Sequence, residues 1–286
     1  MQLPAYAKVN FTLDVLNRRA DGYHELRSVM QTITLCDSVQ VEATRADETQ
    51  IQVKTNRTYL PADERNTAYQ AAARFLQAAG ICASVSIQIQ KRIPVGAGLG
   101  GGSADAAAVL RALNSSLNVR MTPSELEQLA MTVGADVPFL LHGGCALAEG
   151  IGERLTRLPV LHALPMVICK PRPSASTRHI FETLDAVGVD THPDTERAIA
   201  AIRANQAEQL AAQLHNVLEP VTTAMHPVVG KIRSSLLEAG AMGAAMTGTG
   251  TAVFALFDQK PAALAAVRRL KAHWPQTYLV QTAAEF

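Results

Sequence analysis

The chain has 286 residues, 48% of them hydrophobic and 18% charged, and its 26 Lys and Arg nearly cancel its 25 Asp and Glu. That length supplies material for two modest domains with packed cores, while the charge balance argues against nucleic acid or an anionic membrane as a partner held by bulk electrostatics. Lys8 and Asn10 interrupt the N-terminal stretch before it can read as a leader, and no apolar run approaches the roughly eighteen residues of a membrane span, so a soluble, cytoplasmic protein is expected.

From residue 5 the sequence alternates. Ala5, Ala7, Val9, Phe11, Leu13 and Val15 share one face, and Tyr6, Lys8, Asn10, Thr12 and Asp14 the other. A strand with one buried and one polar face is predicted. Asp21-Gly22 supplies a turn, and renewed alternation at Ile33, Leu35, Val39 and Val41 predicts returning strands. Residues 66–79 predict an Ala-rich helix ended by Gly80. Val85, Ile87 and Ile89 then alternate with polar residues in a strand that runs into a glycine-rich stretch. A helix from about 104 to 117 follows, with Ser103 as its N-cap. Thr122, Pro123 and Glu125 carry the signature of a capped helix that Gly134 closes.

Between residues 158 and 165 two prolines, Pro159 and Pro165, flank a short segment, which places a domain boundary there and divides the chain into 1–158 and 159–286. Further on, helices are predicted from near Ser176 and over 194–203, 206–217, 228–239 and 261–273. Strands are predicted near 244–246, 252–257 and 277–281. The class is α+β with two domains, the second an α/β sandwich-like layer. Cys36, Cys82, Cys145 and Cys169 lie far apart, which predicts buried reduced thiols rather than a disulfide framework or a zinc cluster.

The most informative stretch is Pro94-Val95-Gly96-Ala97-Gly98-Leu99-Gly100-Gly101-Gly102-Ser103-Ala104. Glycine at this density costs a regular element backbone entropy, so a loop is where it fits. Lying between a strand and a helix, its N–H groups can converge with the helix N-terminus on a polyphosphate. Asp105, in the first helical turn, complements the helix dipole or approaches a bound cation. Gly96, Gly98 and Gly101 also match a bare G-x-G-x-x-G, which leaves a nicotinamide-dependent oxidoreductase open. The Gly-Lys-Ser/Thr of a Walker loop is absent, as are the H-R-D and D-F-G of protein kinases.

Three segments in order resemble the GHMP kinase family, named for galactose, homoserine, mevalonate and phosphomevalonate kinases. They are Ala5-Tyr6-Ala7-Lys8-Val9-Asn10, the loop at 94–104, and Thr247-Gly248-Thr249-Gly250. Tyr6 departs from the pattern, standing where many members carry proline. The strings Arg19-Ala20-Asp21-Gly22-Tyr23-His24-Glu25 and Gly134-Ala135-Asp136-Val137-Pro138-Phe139 are similar to a branch acting on a diphosphocytidyl sugar alcohol in isoprenoid precursor synthesis. Homoserine- or mevalonate-type alcohols are the alternative. The resemblance implies a two-domain GHMP kinase fold, ATP with Mg2+, a small-molecule substrate, and a monomer or weak homodimer. A silent nucleotide-binding regulator of the same fold is a third reading, disfavoured by the presence of both Lys8 and Asp136.

The resemblance also implies roles. Lys8 and Asp136 fall at the catalytic centre, with Asp136 accepting the alcohol proton and Lys8 steadying charge. On their own they read as a surface lysine and a helix cap. The loop from Pro94 to Ala104 would bind ATP, with Ser103 serving phosphate or magnesium and Asn66 lying towards the adenine. Asn10 would reach substrate hydroxyls or phosphate. Tyr23 and Phe181 would clamp a nucleobase whose edge His24 bonds, and Thr177 is a further candidate for a substrate contact. No protein-built metal site is expected.

Overall fold

A computed structural model describes residues 1–161 and 163–285 of the chain. It begins with two long strands, β1 (Gln2–Arg18) and β2 (His24–Arg45), then β3 (Gln50–Thr55), α1 (Thr67–Ala79) and β4 (Ala83–Gln90). After the glycine-rich loop come α2 (Gly101–Ser116), α3 (Pro123–Val133), α4 (Val137–His142), β5 (Cys145–Gly150), β6 (Arg154–Leu158) and β7 (Pro165–Lys170). The remainder runs α5 (Thr177–Val187), α6 (Thr195–Arg203), α7 (Ala207–Ala211), β8 (His215–Asn216), α8 (Glu219–Met225), α9 (Val228–Glu238), β9 (Gly243–Met246), β10 (Val253–Leu256), α10 (Lys260–Lys271) and β11 (Gln276–Gln281).

These elements form two compact units interleaved along the chain. The first comprises residues 1–7, 35–93 and 100–142; the second comprises 8–34, 94–99 and 143 onward.

In the first unit the C-terminal half of β2 pairs antiparallel with β4, which pairs in parallel with β3. Alternation along β4 turns Val85, Ile87 and Ile89 inward. Helix α2 packs against both α1 and α4, and Ala72, Phe75, Leu110, Leu113 and Phe139 on these helices are buried. Local signals set the helix ends. Asn66 caps α1 by accepting from Ala68 N, and Gly80 at φ 63° closes it. Thr122 and Glu125 cap α3 reciprocally, a device whose loss typically costs about 0.5–2 kcal/mol.

In the second unit β2 pairs antiparallel with β5, β5 with β6, and β1 in parallel with β8. A separate antiparallel sheet runs in the order β11–β7–β10–β9. It is covered by α9 and α10, whose Ile232, Leu236, Ala263 and Leu270 are buried with Val167, Val253 and Ala255 in one core.

Several expectations are corrected. The polar face of β1 is not solvated: Lys8, Asn10, Thr12 and Asp14 are all buried. Helix α2 starts at Gly101, with Gly100 as a left-handed cap, so Ser103 is helical rather than the N-cap. Gly100 at φ 69° turns the chain into the helix without the Cβ strain that would oppose this turn. The helix expected over 206–217 stops at Ala211, because His215 and Asn216 leave it to pair with Thr12 and Leu13. Cys145 and Cys169 are buried as expected, and burial pushes their thiols up to about 12 and about 11. Cys36 is half-buried and Cys82 exposed, because the chain at residue 82 leaves α1 on the surface.

Candidate active site

In the second unit, Asn10 organises the start of the chain's polar chemistry. It lies two residues beyond Lys8, so both side chains leave the same face of β1. Lys8 Nζ donates to Asn10 Oδ1 at 2.8 Å, and Gly248 N donates to the same oxygen at 3.0 Å. The Asn10 amide nitrogen donates to Ser28 Oγ at 2.8 Å. The Thr247 hydroxyl accepts from Asn10 N at 3.2 Å and lies 3.1 Å from both Asn10 Oδ1 and Gly98 O. Asn10 is therefore occupied at both ends of its amide. Through these bonds it holds Lys8 and the turn after β9.

The glycine loop sits against that same turn. Gly98 has φ 74°, and a Cβ there would overlap the Thr247 carbonyl oxygen. A Cβ on Gly248 would stand 3.0 Å from the Gly98 backbone. Lys8 N donates to Leu99 O at 3.0 Å, and Ala252 N to Ala97 O at 3.2 Å. The backbones meet this closely only because neither glycine carries a side chain. The structure thus joins the first segment, the loop and the Thr247–Gly250 turn, which are far apart in sequence.

A second cluster lies around the Asp21-Gly22 turn. Tyr23 N donates to Asp21 Oδ1, which is foremost in holding that carboxyl below its usual range. Arg19 donates to Asp21 and Glu25, tying the turn together. His24 stacks on Phe181 of α5 with ring centroids 4.7 Å apart at 25°, and its Nε2 lies 2.7 Å from Asp185 Oδ1. Tyr23 itself is 62% exposed. The stacked pair is therefore His24 and Phe181, while Tyr23 presents its ring to solvent nearby in sequence. Thr177, the first residue of α5, lies 3.1 Å by its hydroxyl from Thr249 Oγ1.

The first unit holds the other candidates. Ala104 N is paired to Gly100 O, so the N–H groups of Gly101, Gly102 and Ser103 are the ones a helix leaves without internal partners at its start. They sit where the macrodipole is positive, as anion binding requires. Ser103 is half-buried in that first turn, and a Cβ on Gly134 would stand 3.9 Å from its hydroxyl. The structure so brings Ser103 beside the Gly134–Asp136 segment. Asp136 precedes α4, half-buried, and its carbonyl accepts from Leu140 N at 3.1 Å. Asn66 is used by the fold: it accepts from Ala68 N and donates to Pro61 O at 2.8 Å.

Asp105 departs furthest from expectation. It lies beyond the first turn, buried, and its Oδ2 accepts from Lys91 Nζ at 2.6 Å. Lys91 also pairs with buried Asp37. Burial pushes the Asp105 carboxyl up to about 7 despite the ammonium beside it. Burial alone would lower Lys91, but the two carboxylates outweigh it and leave its pKa raised. No motif in the sequence marks Lys91 or Asp37 as partners. One signal was there: Lys91 continues the inward phase of Val85, Ile87 and Ile89.

Comparison with known proteins gives this arrangement a family. The model described as "GHMP kinases N terminal domain" matches residues 66–144, and "GHMP kinases C terminal" matches 198–276. A curated protein of Caldicellulosiruptor saccharolyticus is 44% identical over 99% of this chain and 97% of its own. The chain belongs to the GHMP kinase family. That relative, and another from Alkaliphilus metalliredigens at 43% identity over 99% of this chain and 96% of its own, are named 4-diphosphocytidyl-2-C-methyl-D-erythritol kinase. A crystal structure of 4-(cytidine 5'-diphospho)-2C-methyl-D-erythritol kinase is 33% identical with a TM-score of 0.82, covering 99% of this chain and all of the other. Homoserine kinase from Cytophaga hutchinsonii, at 21% identity and TM-score 0.74 over 99% of this chain and 95% of its own, shares the fold.

As a GHMP kinase the chain is an ATP-dependent phosphotransferase. The nicotinamide reading of Gly96, Gly98 and Gly101 is set aside, since that glycine string opens α2 within the GHMP architecture. No helix among the described residues is long and apolar enough to cross a membrane.

Proposed function

We propose that this kinase transfers the γ-phosphoryl group of ATP to the 2-hydroxyl of 4-diphosphocytidyl-2-C-methyl-D-erythritol, in non-mevalonate isoprenoid precursor synthesis. The observation that carries the reading is the likeness, at 40–44% identity over 99% of the chain, to relatives that bear this name. The aromatic corner at Tyr23, His24 and Phe181 supports it. A nucleobase wants a π-face and a polar edge, where homoserine or mevalonate would want a basic pocket for a carboxylate.

In this reading Asp136 accepts the proton of the attacking hydroxyl, and Lys8 stabilises charge around the transferred group. The O–P bond to the alcohol forms as the bond to the β,γ-bridging oxygen breaks, and ADP leaves with that electron pair. The N–H groups from Gly96 to Ser103 cradle the phosphates, with the flanking Pro94, Val95 and Ala104 shaping that backbone. Asn10 holds Lys8 in place, and Asn66 and Thr177 shape chain segments beside the ligands. Among the described residues no three His, Cys, Asp or Glu side chains gather as a metal cage. Mg2+ would be held mainly by phosphate oxygens and water, with Ser103 Oγ as the candidate protein ligand. Bound there, the ion would neutralise phosphate charge.

The test is ADP release by the full chain with ATP, magnesium and the diphosphocytidyl alcohol. Substrate-dependent release is expected, and Asp136→Asn should lower turnover by roughly 10²–10⁴-fold. Release with homoserine or mevalonate, but not with this alcohol, would overturn the substrate. Undiminished turnover in Asp136→Asn would overturn the base.

A further inference from the structure

The glycine loop leaves the first unit after Ile93 and returns to it at Gly100. Both of its ends are fastened within that unit. At the incoming end, Asn56 Oδ1 accepts from Lys91 N at 2.8 Å and its amide donates to Lys91 O at 3.3 Å. Asp37 Oδ1 accepts from Arg92 N and from Ile93 N, the latter at 2.8 Å. At the outgoing end, Asp105 on α2 meets Lys91 Nζ at 2.6 Å, and Gly101 O lies 3.4 Å from the same nitrogen. A Cβ on Gly101 would stand 3.0 Å from Ile93 Cγ2 and 3.4 Å from Lys91 Nζ. One ammonium thus joins the residues that precede the loop to those that follow it.

We infer that Lys91, Asp37 and Asp105 form a buried clasp that positions the phosphate-binding backbone, so that they control the affinity for the phosphates of ATP without touching them. This rests on the kinase reading above. The charges are out of proportion to a purely structural need. One cation faces two buried carboxyls, and Asp105 Oδ1 has no hydrogen-bond partner. A core with no other task is often as stable, or more so, with apolar side chains of like volume. What the triad supplies is direction. It holds the first turn of α2 onto the end of β4, so the N–H groups of Gly101, Gly102 and Ser103 stay aimed before any ligand arrives. Fixing donors in advance lowers the ordering cost of binding, and a loop of this length left open at one end would otherwise have to be closed by the nucleotide.

Asp105→Ala is the cleanest probe. It frees the outgoing end only, and leaves Lys91 and Asp37 as a balanced pair with Asp37 still holding the Arg92 and Ile93 amides, so the fold is retained. Calorimetric titration of the full chain with ADP and with adenosine reads the effect. ADP affinity should fall about tenfold while adenosine affinity stays within about twofold, since only the phosphates use the positioned backbone. Asp105→Asn, whose amide oxygen still accepts from Lys91, should recover most of the loss. Undiminished ADP affinity in Asp105→Ala, or a parallel fall for adenosine, would overturn the clasp. A wild-type chain that binds neither ligand would overturn the kinase reading, and the clasp with it.

Discussion

Lys91 in the first unit and Lys170 in the second are buried alike, at 5% and 4% exposed, yet their ammonium groups are held in opposite ways. Lys91 sits between two carboxylates that raise its pKa against the effect of burial. Lys170 donates to Pro171 O at 2.8 Å, Pro173 O at 2.6 Å and Ser174 Oγ at 3.3 Å. Those three neutral oxygens use all of its donors, and burial lowers its pKa to about 8. The difference teaches that burial of a lysine says little until its partners are known. Opposed carboxylates make it a fastener between elements distant in sequence, whereas carbonyl oxygens make it the hub of one local turn.

The largest expected effect comes from breaking the first arrangement. Lys91→Met would leave Asp37 and Asp105 buried together without their cation. Removing one partner of a buried ion pair typically costs about 3–5 kcal/mol. Denaturant unfolding of the variant should show a loss of that order, against little change for a lysine on the surface. A loss below about 1 kcal/mol would mean that the carboxyls find another partner, and the comparison with Lys170 would collapse.

Much of this molecule could be read from the chain, but the clasp could not. An Ala-rich run closed by Gly80, and Thr122 with Pro123 and Glu125, mark α1 and α3 because such signals act through a few neighbouring residues, although Asn66 proves to be the cap of α1 and not its first residue. Glycine density announced the loop and alternation announced β1. Alternation tells which residues share a face; it does not tell whether that face is covered, so the burial of Lys8, Asn10, Thr12 and Asp14 appeared only in three dimensions. Helix α2 starts three residues before its expected start at 104 because Gly101 and Gly102 read as loop residues in sequence, while close approach to Ile93 is what selects Gly101. Asp37 and Lys91 stand 54 residues apart. No local rule pairs them, and Asp105, read alone, looked like a charge for the helix dipole.

A smaller effect separates the two carboxyls of the clasp. The folded-state pKa of Asp105 is raised from 3.8 to about 7, so across that window the folded chain binds a proton that the unfolded chain has lost. Stability must therefore fall as pH rises through the window, and the fall is complete above it. The groups facing this carboxyl are Lys91 from the end of β4 and Asp37 from β2. Asp105→Asn removes the titration. The difference in stability between variant and wild type should move in the variant's favour from pH 4 to 7 and then level off, as measured by denaturant midpoints. A difference that stayed flat would show that Lys91 keeps Asp105 ionised throughout.

The smallest effect should come from Lys170, and its sign with pH is opposite. The unfolded chain keeps the lysine proton up to about 10.5 and the folded chain only to about 8. Between these values the unfolded state binds more protons, so the group's contribution to stability rises with pH. Lys170→Met loses three hydrogen bonds from a charged donor to neutral oxygens, each worth about 1.5–3 kcal/mol, but also removes the cost of burying a charge. The two terms offset, and at neutral pH the variant should lie within about 1 kcal/mol of wild type. Raising the pH from 8 to 10 should then favour the wild type over the variant, because only the wild type sheds its buried charge. The turn that Lys170 gathers places Ser174 Oγ 2.8 Å from where a Cβ on Gly96 would stand. Lys170→Met should therefore be visible in nucleotide affinity as well, and more weakly than Asp105→Ala. If the two variants weakened ADP binding equally, a local hub would be fixing the loop as firmly as a clasp between its ends.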